Sequence, residues 1–334
     1  MSEPERILVI KHGALGDFVQ ALGPFQAIRA HHMGAHIVLL TTTPFVSFAT
    51  ASGLFDEVWV DDRPKFWQIG EWVRLRKRLR QGRFRRVYDL QTSDRSSMYF
   101  HFFPRRRRPE WSGIARGCSH PHNNPDRDFM HTLDCQAEQL EMAGIRYVPP
   151  PDLSWVTATP ERFHSGGNFI LLVAGGSAHR PAKRWPEEAF AKLARLVAAD
   201  AVTPVLIGKG PNEAALAHRI VGGCADAIDL VDRTDLADLV ALGRNARAAV
   251  GNDSGPMHLF AAAGCPSLVL FSDASDPHRV APRGPKVKII RRVPLAALSV
   301  DEVAASLANL WREAPAGLTM ARLGLPWNHD ASSQ

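Results

Sequence analysis

The sequence predicts an α/β fold built in two successive units, each a parallel sheet flanked by helices. Three observations predict it. Short, wholly apolar runs such as Ile7-Leu8-Val9-Ile10 and Phe169-Ile170-Leu171-Leu172-Val173 are each followed by a glycine-bearing turn and then a helical pattern, as strands covered on both faces require. This rhythm is interrupted after residue 103, closes on Pro149-Pro150-Pro151, and begins again near residue 169. The length of 334 residues also exceeds what one core of ordinary size holds.

Taken in order, residues 7–10 form the first strand, and Gly13-Ala14-Leu15-Gly16 turns the chain into a helix. Phe18, Leu22, Phe25 and Ile28 give that helix one apolar stripe, despite Gly23-Pro24 within it. Strands are expected over residues 36–40 and 57–60, a strongly basic helix over 65–81, and a strand over 87–90. Residues 104–130 carry arginine, proline, asparagine and histidine in no period. They are expected as a long surface loop, a kind of segment that is usually functional or disordered. A helix over 131–143 precedes the three prolines, which stiffen the chain and mark a linker. Beyond it come a strand over 169–173, a helix over 186–199 with Pro186 at its first turn, and strands over 204–207, 228–230, 248–250 and 267–271. A last helix over 300–311 places Val303, Leu307 and Leu310 on one face. The expected organisation is therefore a first domain over 1–150, a linker over 151–166, a second domain over 167–313 and an irregular tail over 314–334. Binding sites in open α/β sheets lie beyond the carboxyl ends of the strands, so an interdomain cleft is expected.

Composition narrows the class. Hydrophobic residues make up 45% and charged residues 22%, the balance of a soluble globular protein. The acidic start and the short apolar run after it do not read as a signal peptide, and no run suggests a membrane-spanning helix. The four cysteines, Cys118, Cys135, Cys224 and Cys265, contain no Cys-x-x-Cys pair and read as reduced cytoplasmic thiols. Eight basic residues and no acidic one lie between Arg74 and Arg86, and Arg105 to Arg108 is a run of four. They form either a solvated face or a contact with an anionic membrane or acidic lipid substrate. Nucleic acid is not expected, because aromatic interleaving and a binding motif are missing. Nor is a metal: Asp126-Arg127-Asp128 lies in the irregular segment, and Cys118, His120, His122, His131 and Cys135 match no standard zinc spacing.

Four strand-to-helix turns carry the candidate chemistry. In Lys11-His12-Gly13-Ala14-Leu15-Gly16-Asp17, Asp17 serves either as a helix cap, the commoner use, or as a general base toward a hydroxyl. The turn lacks the Gly-x-Gly-x-x-Gly spacing of a dinucleotide site, and the second strand ends in threonines rather than an acid. In Ala174-Gly175-Gly176-Ser177, followed by Lys183-Arg184-Trp185-Pro186, glycines let backbone amides approach an anion and the lysine supplies a point charge. In Gly251-Asn252-Asp253-Ser254-Gly255-Pro256-Met257-His258, a helix N-terminus and the Ser254 hydroxyl suit a diphosphate, while Asp253 as a cap and His258 as a helix histidine are the plainer readings. In Gly208-Lys209-Gly210-Pro211-Asn212-Glu213, Glu213 either accepts ribose hydroxyls or complements the helix dipole.

Together these segments resemble glycosyltransferase family 9, the ADP-heptose:lipopolysaccharide heptosyltransferases. Residues 7–17 resemble the family's opening motif, Lys183-Arg184-Trp185-Pro186-Glu187-Glu188 its central segment, and residues 253–259 with Ala261-Ala262-Ala263-Gly264 its donor loop. The resemblance covers most of the chain. It implies a GT-B fold, two facing Rossmann-like domains with the acceptor on the first and the nucleotide sugar on the second. It also implies an inverting, metal-independent transfer with no cofactor, from ADP-heptose to a lipopolysaccharide-core or related glycan acceptor. The expected location is the cytoplasm, either free or peripheral on the cytoplasmic face of the inner membrane. By the same resemblance Asp17 is the base, Lys183 neutralises the diphosphate, and Glu213 holds the ribose. Ser177, Asp253, Ser254, Gly255, Met257 and His258 complete the donor site. One departure is Ser254, where heptosyltransferases often carry threonine; the hydroxyl is kept, but the sugar is less firmly specified. A nucleotide-sugar sensor without catalysis and a nucleotide-sugar epimerase are the alternatives on the same scaffold.

Overall fold

A computed structural model describes residues 4–163, 168–176 and 179–312. The chain divides into two units, Met1–Trp155 and Val156–Gln334.

The first unit contains strands β1 (Arg6–Ile10), β2 (His36–Thr41), β3 (Glu57–Val60), β4 (Arg86–Asp89), β5 (Glu110–Gly113) and β6 (His120–Pro121). Its helices are α1 (Leu15–Gln20), α2 (Leu22–His31), α3 (Val46–Ala51), α4 (Ile69–Gln81), α5 (Asp94–Tyr99) and α6 (Thr132–Met142). The strands pair in the order β3-β2-β1-β4-β5-β6, all parallel. The second unit repeats the plan with β7 (Phe169–Val173), β8 (Thr203–Leu206), β9 (Ile228–Asp229), β10 (Ala248–Asn252), β11 (Ser267–Phe271) and β12 (Val287–Arg291). Its helices are α7 (Glu187–Ala199), α8 (Pro211–Gly222), α9 (Leu236–Asn245), α10 (Gly255–Ala262), α11 (Pro277–Val280) and α12 (Val300–Arg312). Here the order is β12-β11-β10-β7-β8-β9, again parallel throughout.

Each sheet thus starts in its middle, runs three strands outward to one side, and returns to lay three on the other. The reversal falls between β1 and β4 in one unit and between β7 and β10 in the other. In such sheets the loops on either side of the reversal diverge and leave a crevice at the strands' carboxyl ends. The central strands are fully covered: Ile7 to Ile10 and Phe169 to Leu172 have no exposed surface, which is why they read as unbroken apolar runs rather than alternating ones. The GT-B expectation of two Rossmann-like units with parallel sheets holds for each unit.

Three expectations change. The stretch over residues 104–130 is not one surface loop: β5 and β6 extend the first sheet there, and Trp111 is wholly buried edge-on to Phe100 and Phe103. Strands of four and two residues among arginines are too short to show a period, so only the packing of Trp111 reveals them. The apolar stripe over residues 18–28 belongs to two helices, α1 and α2, broken at Ala21, although Phe18, Leu22, Phe25 and Ile28 are all buried. Strand β12 completes the second sheet and has no counterpart in the sequence reading. Within the segment expected as a linker, Asp152, Trp155 and Val156 are each held by a contact. Gln26 Nε2 donates to the Asp152 carbonyl (3.1 Å), and Trp155 packs edge-on to Phe48 in the first unit. In the second unit the Arg244 guanidinium donates to the Val156 carbonyl (2.7 Å).

Candidate functional site

In the second unit, the loops leaving β7 and β10 are bound into one assembly by Asn252, the last residue of β10. Its Nδ2 donates to the carbonyls of Ala174 (2.9 Å) and Gly175 (3.0 Å), and its Oδ1 accepts the Trp185 N–H (2.9 Å). Trp185 buries its ring and donates Nε1–H to the Leu298 carbonyl at 2.9 Å. A fully satisfied buried network of this kind fixes the loops it joins. Beside it, the Lys183 ammonium donates to Asp253 Oδ2 at 2.5 Å, and Ser275 Oγ donates to the same oxygen at 2.7 Å. Asp253 is therefore an anchor for Lys183 and not a helix cap. The cap position of α10 is Ser254, which makes no side-chain cap bond, and its Oγ is buried without a hydrogen-bond partner among the described residues.

A buried hydroxyl left unpaired costs about 1–3 kcal/mol. Here it lies at the N-terminus of α10, where the Gly255 amide and the helix dipole favour an anion, although Pro256 has no N–H and the Met257 N–H donates to the Ser254 carbonyl. With Lys183 alongside, the loop has the donor set a phosphate group needs. Gly255 opens the helix, and Met257 is completely buried beneath it. A Cβ at Gly251 would lie 3.0 Å from the Met257 sulfur and 2.5 Å from Val173 Cβ, so Met257 fills the floor between β7 and β10. His258 is also buried.

Glu213, in the first turn of α8, brackets the glycine loop. Its Oε1 accepts the Gly176 N–H (3.0 Å) and its Oε2 the Lys209 N–H (2.9 Å). A Cβ at Gly175 would lie 2.2 Å from the Glu213 carboxyl carbon. The glycine is required so that this carboxylate can pass under the loop. Ser177 lies outside the described residues.

In the first unit, the carboxyl ends of β1 and β4 gather charge. Lys11 is buried and donates Nζ to the Leu90 carbonyl at 2.9 Å. Burial pushes its pKa down, opposed by the carboxylates of Asp17 and Asp89. Asp89 has no exposed surface, and burial raises its pKa to about 6 although the amides of Gln91 and Thr92 donate to Oδ1. His12 Nε2 lies 3.0 Å from Asp61 Oδ2, which also accepts the Tyr99 hydroxyl at 2.5 Å. Burial acts to raise the Asp61 pKa, yet the hydrogen bonds from His12 and Tyr99 hold it below the usual carboxylate range.

The turn after β1 is tightly seated: the His12 N–H donates to Gln91 Oε1 (2.8 Å), and Thr42 Oγ1 donates to the His12 carbonyl (2.9 Å). At φ +99° a Cβ on Gly13 would lie 2.4 Å from the Phe45 ring, so only glycine fits. Asp17 follows in the first turn of α1. The cap position there is Ala14, without a side-chain bond, so Asp17 does not cap. Among the described residues it has no hydrogen-bond or ion-pair partner. A half-buried carboxylate without a structural bond, near a buried lysine, is equipped to accept a proton.

The structure thus brings Lys183, Asp253, Ser254 and Gly255 together at one switch point, with Met257 and His258 beneath the loop and Glu213 under the neighbouring glycines. Asp17 stands at the corresponding point of the other unit. Sequence reading missed Ser275, Asp61, Asp89 and Tyr99, and assigned no role to Lys11, His12 or Asn252. A polar residue directly ending an all-apolar strand, as at Lys11 and Asn252, is the one signal that pointed to them. The His122 ring sits 3.8 Å from the Cys135 sulfur, but among the described residues no three His, Cys, Asp or Glu side chains converge as metal ligands.

A family model described as glycosyltransferase family 9 (heptosyltransferase) matches residues 72–303. Among similar proteins, lipooligosaccharide heptosyltransferase 2 of Haemophilus influenzae is 34% identical over 135 residues, 38% of either chain. Lipopolysaccharide heptosyltransferase 2 of Salmonella typhimurium is 26% identical over 324 residues, 86% of this chain and 88% of that one. In the first of these alignments the chain spans well under half of the relative's length. Among solved structures, the Escherichia coli ADP-heptose lps heptosyltransferase II superposes with a TM-score of 0.74 at 22% identity, over 92% of this chain and 98% of that one. The E. coli heptosyltransferase WaaC with ADP gives a TM-score of 0.73 at 18% identity, over 91% and 99%.

Proposed function

The chain belongs to glycosyltransferase family 9, and from that membership we propose that it transfers a heptose from ADP-heptose to a lipopolysaccharide-core or related glycan acceptor. The observation that carries the reading is the second unit's anion site: an unpaired buried Ser254 hydroxyl at a helix N-terminus, beside the Lys183 ammonium. The similarity to a heptosyltransferase solved with ADP supports a nucleoside diphosphate as its occupant.

The transfer is a single inverting displacement. The acceptor hydroxyl attacks the anomeric carbon as Asp17 takes its proton, and the bond from that carbon to the β-phosphate oxygen breaks. The negative charge that grows on departing ADP is met by Lys183 and, at the head of α10, by the Ser254 hydroxyl and the Gly255 amide, the last two already in place. A lysine and fixed dipoles do here what a divalent cation does in metal-dependent transferases, so the reaction runs without a metal. Lys183 changes partner on donor binding, from Asp253 alone to a share in the diphosphate. Asn252 and Ser275 position these groups, and Glu213 holds the glycine loop against which the ribose lies.

The test is thermal stabilisation by ADP, UDP, GDP, dTDP and CMP, with and without EDTA. A ligand that binds only the folded chain raises its stability. Selective stabilisation by ADP, unchanged by EDTA, is expected. Preference for another nucleotide would replace the donor, and a response that EDTA abolishes would refute the metal-free reading.

A further inference from the structure

Helix α4 and the turn before it present a surface that no step of the transfer uses. Leu75 and Leu79 are buried, and Trp72 packs edge-on to Tyr99 and Phe102. Positions 69, 73, 76, 77 and 80, spaced by four, three, one and three residues, are exposed together along one flank of that inward stripe. That outward stripe is not simply polar. Phe66, Trp67, Ile69 and Val73 are 83%, 61%, 72% and 58% exposed, four large apolar side chains within eight residues.

Cations continue the same stripe, and Val73 lines a shared groove with Arg76, Lys77, Arg80 and Arg83. Some basic groups nearby are already engaged. Arg74 pairs with Glu71, Arg78 lies 4.4 Å over the Trp59 ring, and Arg80 donates to the Phe102 carbonyl at 2.6 Å. Arg76, Lys77 and Arg83 have no partner among the described residues. Lys65 lies 5.1 Å over the Trp67 ring, a cation beside the apolar tip.

We propose that this face docks onto an anionic lipid bilayer, with Phe66, Trp67, Ile69 and Val73 entering the boundary between headgroups and acyl chains while Arg76, Lys77 and Arg83 lie against lipid phosphates. Charge complementarity selects the occupant, since the stretch from Arg74 to Arg86 is basic without a single acid. A solvated or purely electrostatic face gives no reason to expose tryptophan and phenylalanine together. Aromatic and aliphatic residues next to lysine and arginine on one helix face are the make-up of an interfacial anchor.

The experiment is sedimentation of the full chain with phosphatidylcholine vesicles, plain or one-third phosphatidylglycerol. It is run on the wild type, on R76Q/K77Q/R83Q and on F66S/W67S/I69S. Wild type should partition onto anionic vesicles, and the charge variant should lose affinity on the order of a hundredfold, given the usual contribution of each basic residue near such a surface. The apolar variant should also release, and acyl-chain-brominated lipid should quench wild-type tryptophan emission more than that of W67F. All substituted side chains are exposed, and unchanged melting temperatures confirm folding. Wild type that ignores anionic vesicles, or either triple variant that binds like wild type, overturns the proposal. So does dimerisation through this face without vesicle binding. Neither donor nor acceptor enters the assay, so its outcome is separate from that of the transfer reaction.

Discussion

Replacing Gly175 by alanine tests the bracket formed by Glu213. The added Cβ would sit 2.2 Å from the Glu213 carboxyl carbon and 2.3 and 2.4 Å from its two oxygens. The carboxylate must withdraw by about an ångström, beyond the tolerance of its bonds to the Gly176 and Lys209 amides. Hydrogen bonds to a charged group contribute about 1.5–3 kcal/mol each when buried. Water can replace part of that at this half-exposed site, so G175A should cost about 2 kcal/mol in all. Truncation in E213A loses the same two bonds and should cost a similar amount. In the E213A background the obstacle is gone, and Gly175 has no positive φ to strain an alanine. There G175A should be neutral or stabilising by a few tenths of a kcal/mol, because alanine restricts the unfolded chain. The double-mutant cycle should therefore show coupling of about 2 kcal/mol. Urea unfolding measures it, and hydrogen exchange at the β7 and β10 amides isolates the second unit from the first. Additive costs, agreeing within about 0.5 kcal/mol, would refute the claim that Gly175 is glycine on account of Glu213.

Three further outcomes are expected. D17N should lower turnover by about 10²–10⁴-fold while ADP still stabilises the chain as in wild type; unchanged turnover would remove Asp17 from the chemistry. S254A deletes a buried hydroxyl that has no partner among the described residues, so it should stabilise the ligand-free chain by up to about 1–3 kcal/mol yet weaken ADP binding by about tenfold in calorimetry. Equal ADP affinity would exclude the hydroxyl from the phosphate site. Asp89, its pKa raised by burial to about 6, binds a proton in the folded state that the unfolded chain releases near pH 4. Stability attributable to it is present below that pH and is lost as pH rises toward 6, by about 2–3 kcal/mol. The stability difference between D89N and wild type should therefore grow in favour of D89N from pH 4 to pH 7 and then level off; a difference flat across that range would place the ordinary pKa on Asp89.

How much was legible in the sequence follows from the range of each interaction. Covered parallel strands must be apolar on both faces, and a turn into a helix needs glycine and polar residues at fixed offsets. The strands β1, β2, β3, β7 and β11 and the turns bearing Asp17, Lys183 and Asp253 to Gly255 therefore stand in the sequence itself. Strand β12 and the short pair β5 and β6 do not, because only their pairing with a neighbouring strand separates them from loops.

The same division runs through the site. Local spacing left Asp17 and Asp253 as possible helix caps, and tertiary structure decided against both. Asp253 is drawn to a lysine 70 residues away, and the cap position before Asp17 is an alanine. Asn252 joins segments 67 and 78 residues distant, and Asp61 meets Tyr99 across 38. No periodicity encodes such pairs. The sequence by itself determined the order of strands and turns, since those depend on neighbours along the chain. Which polar groups are held, buried or left unpaired was decided only when the sheets brought distant loops to the same end.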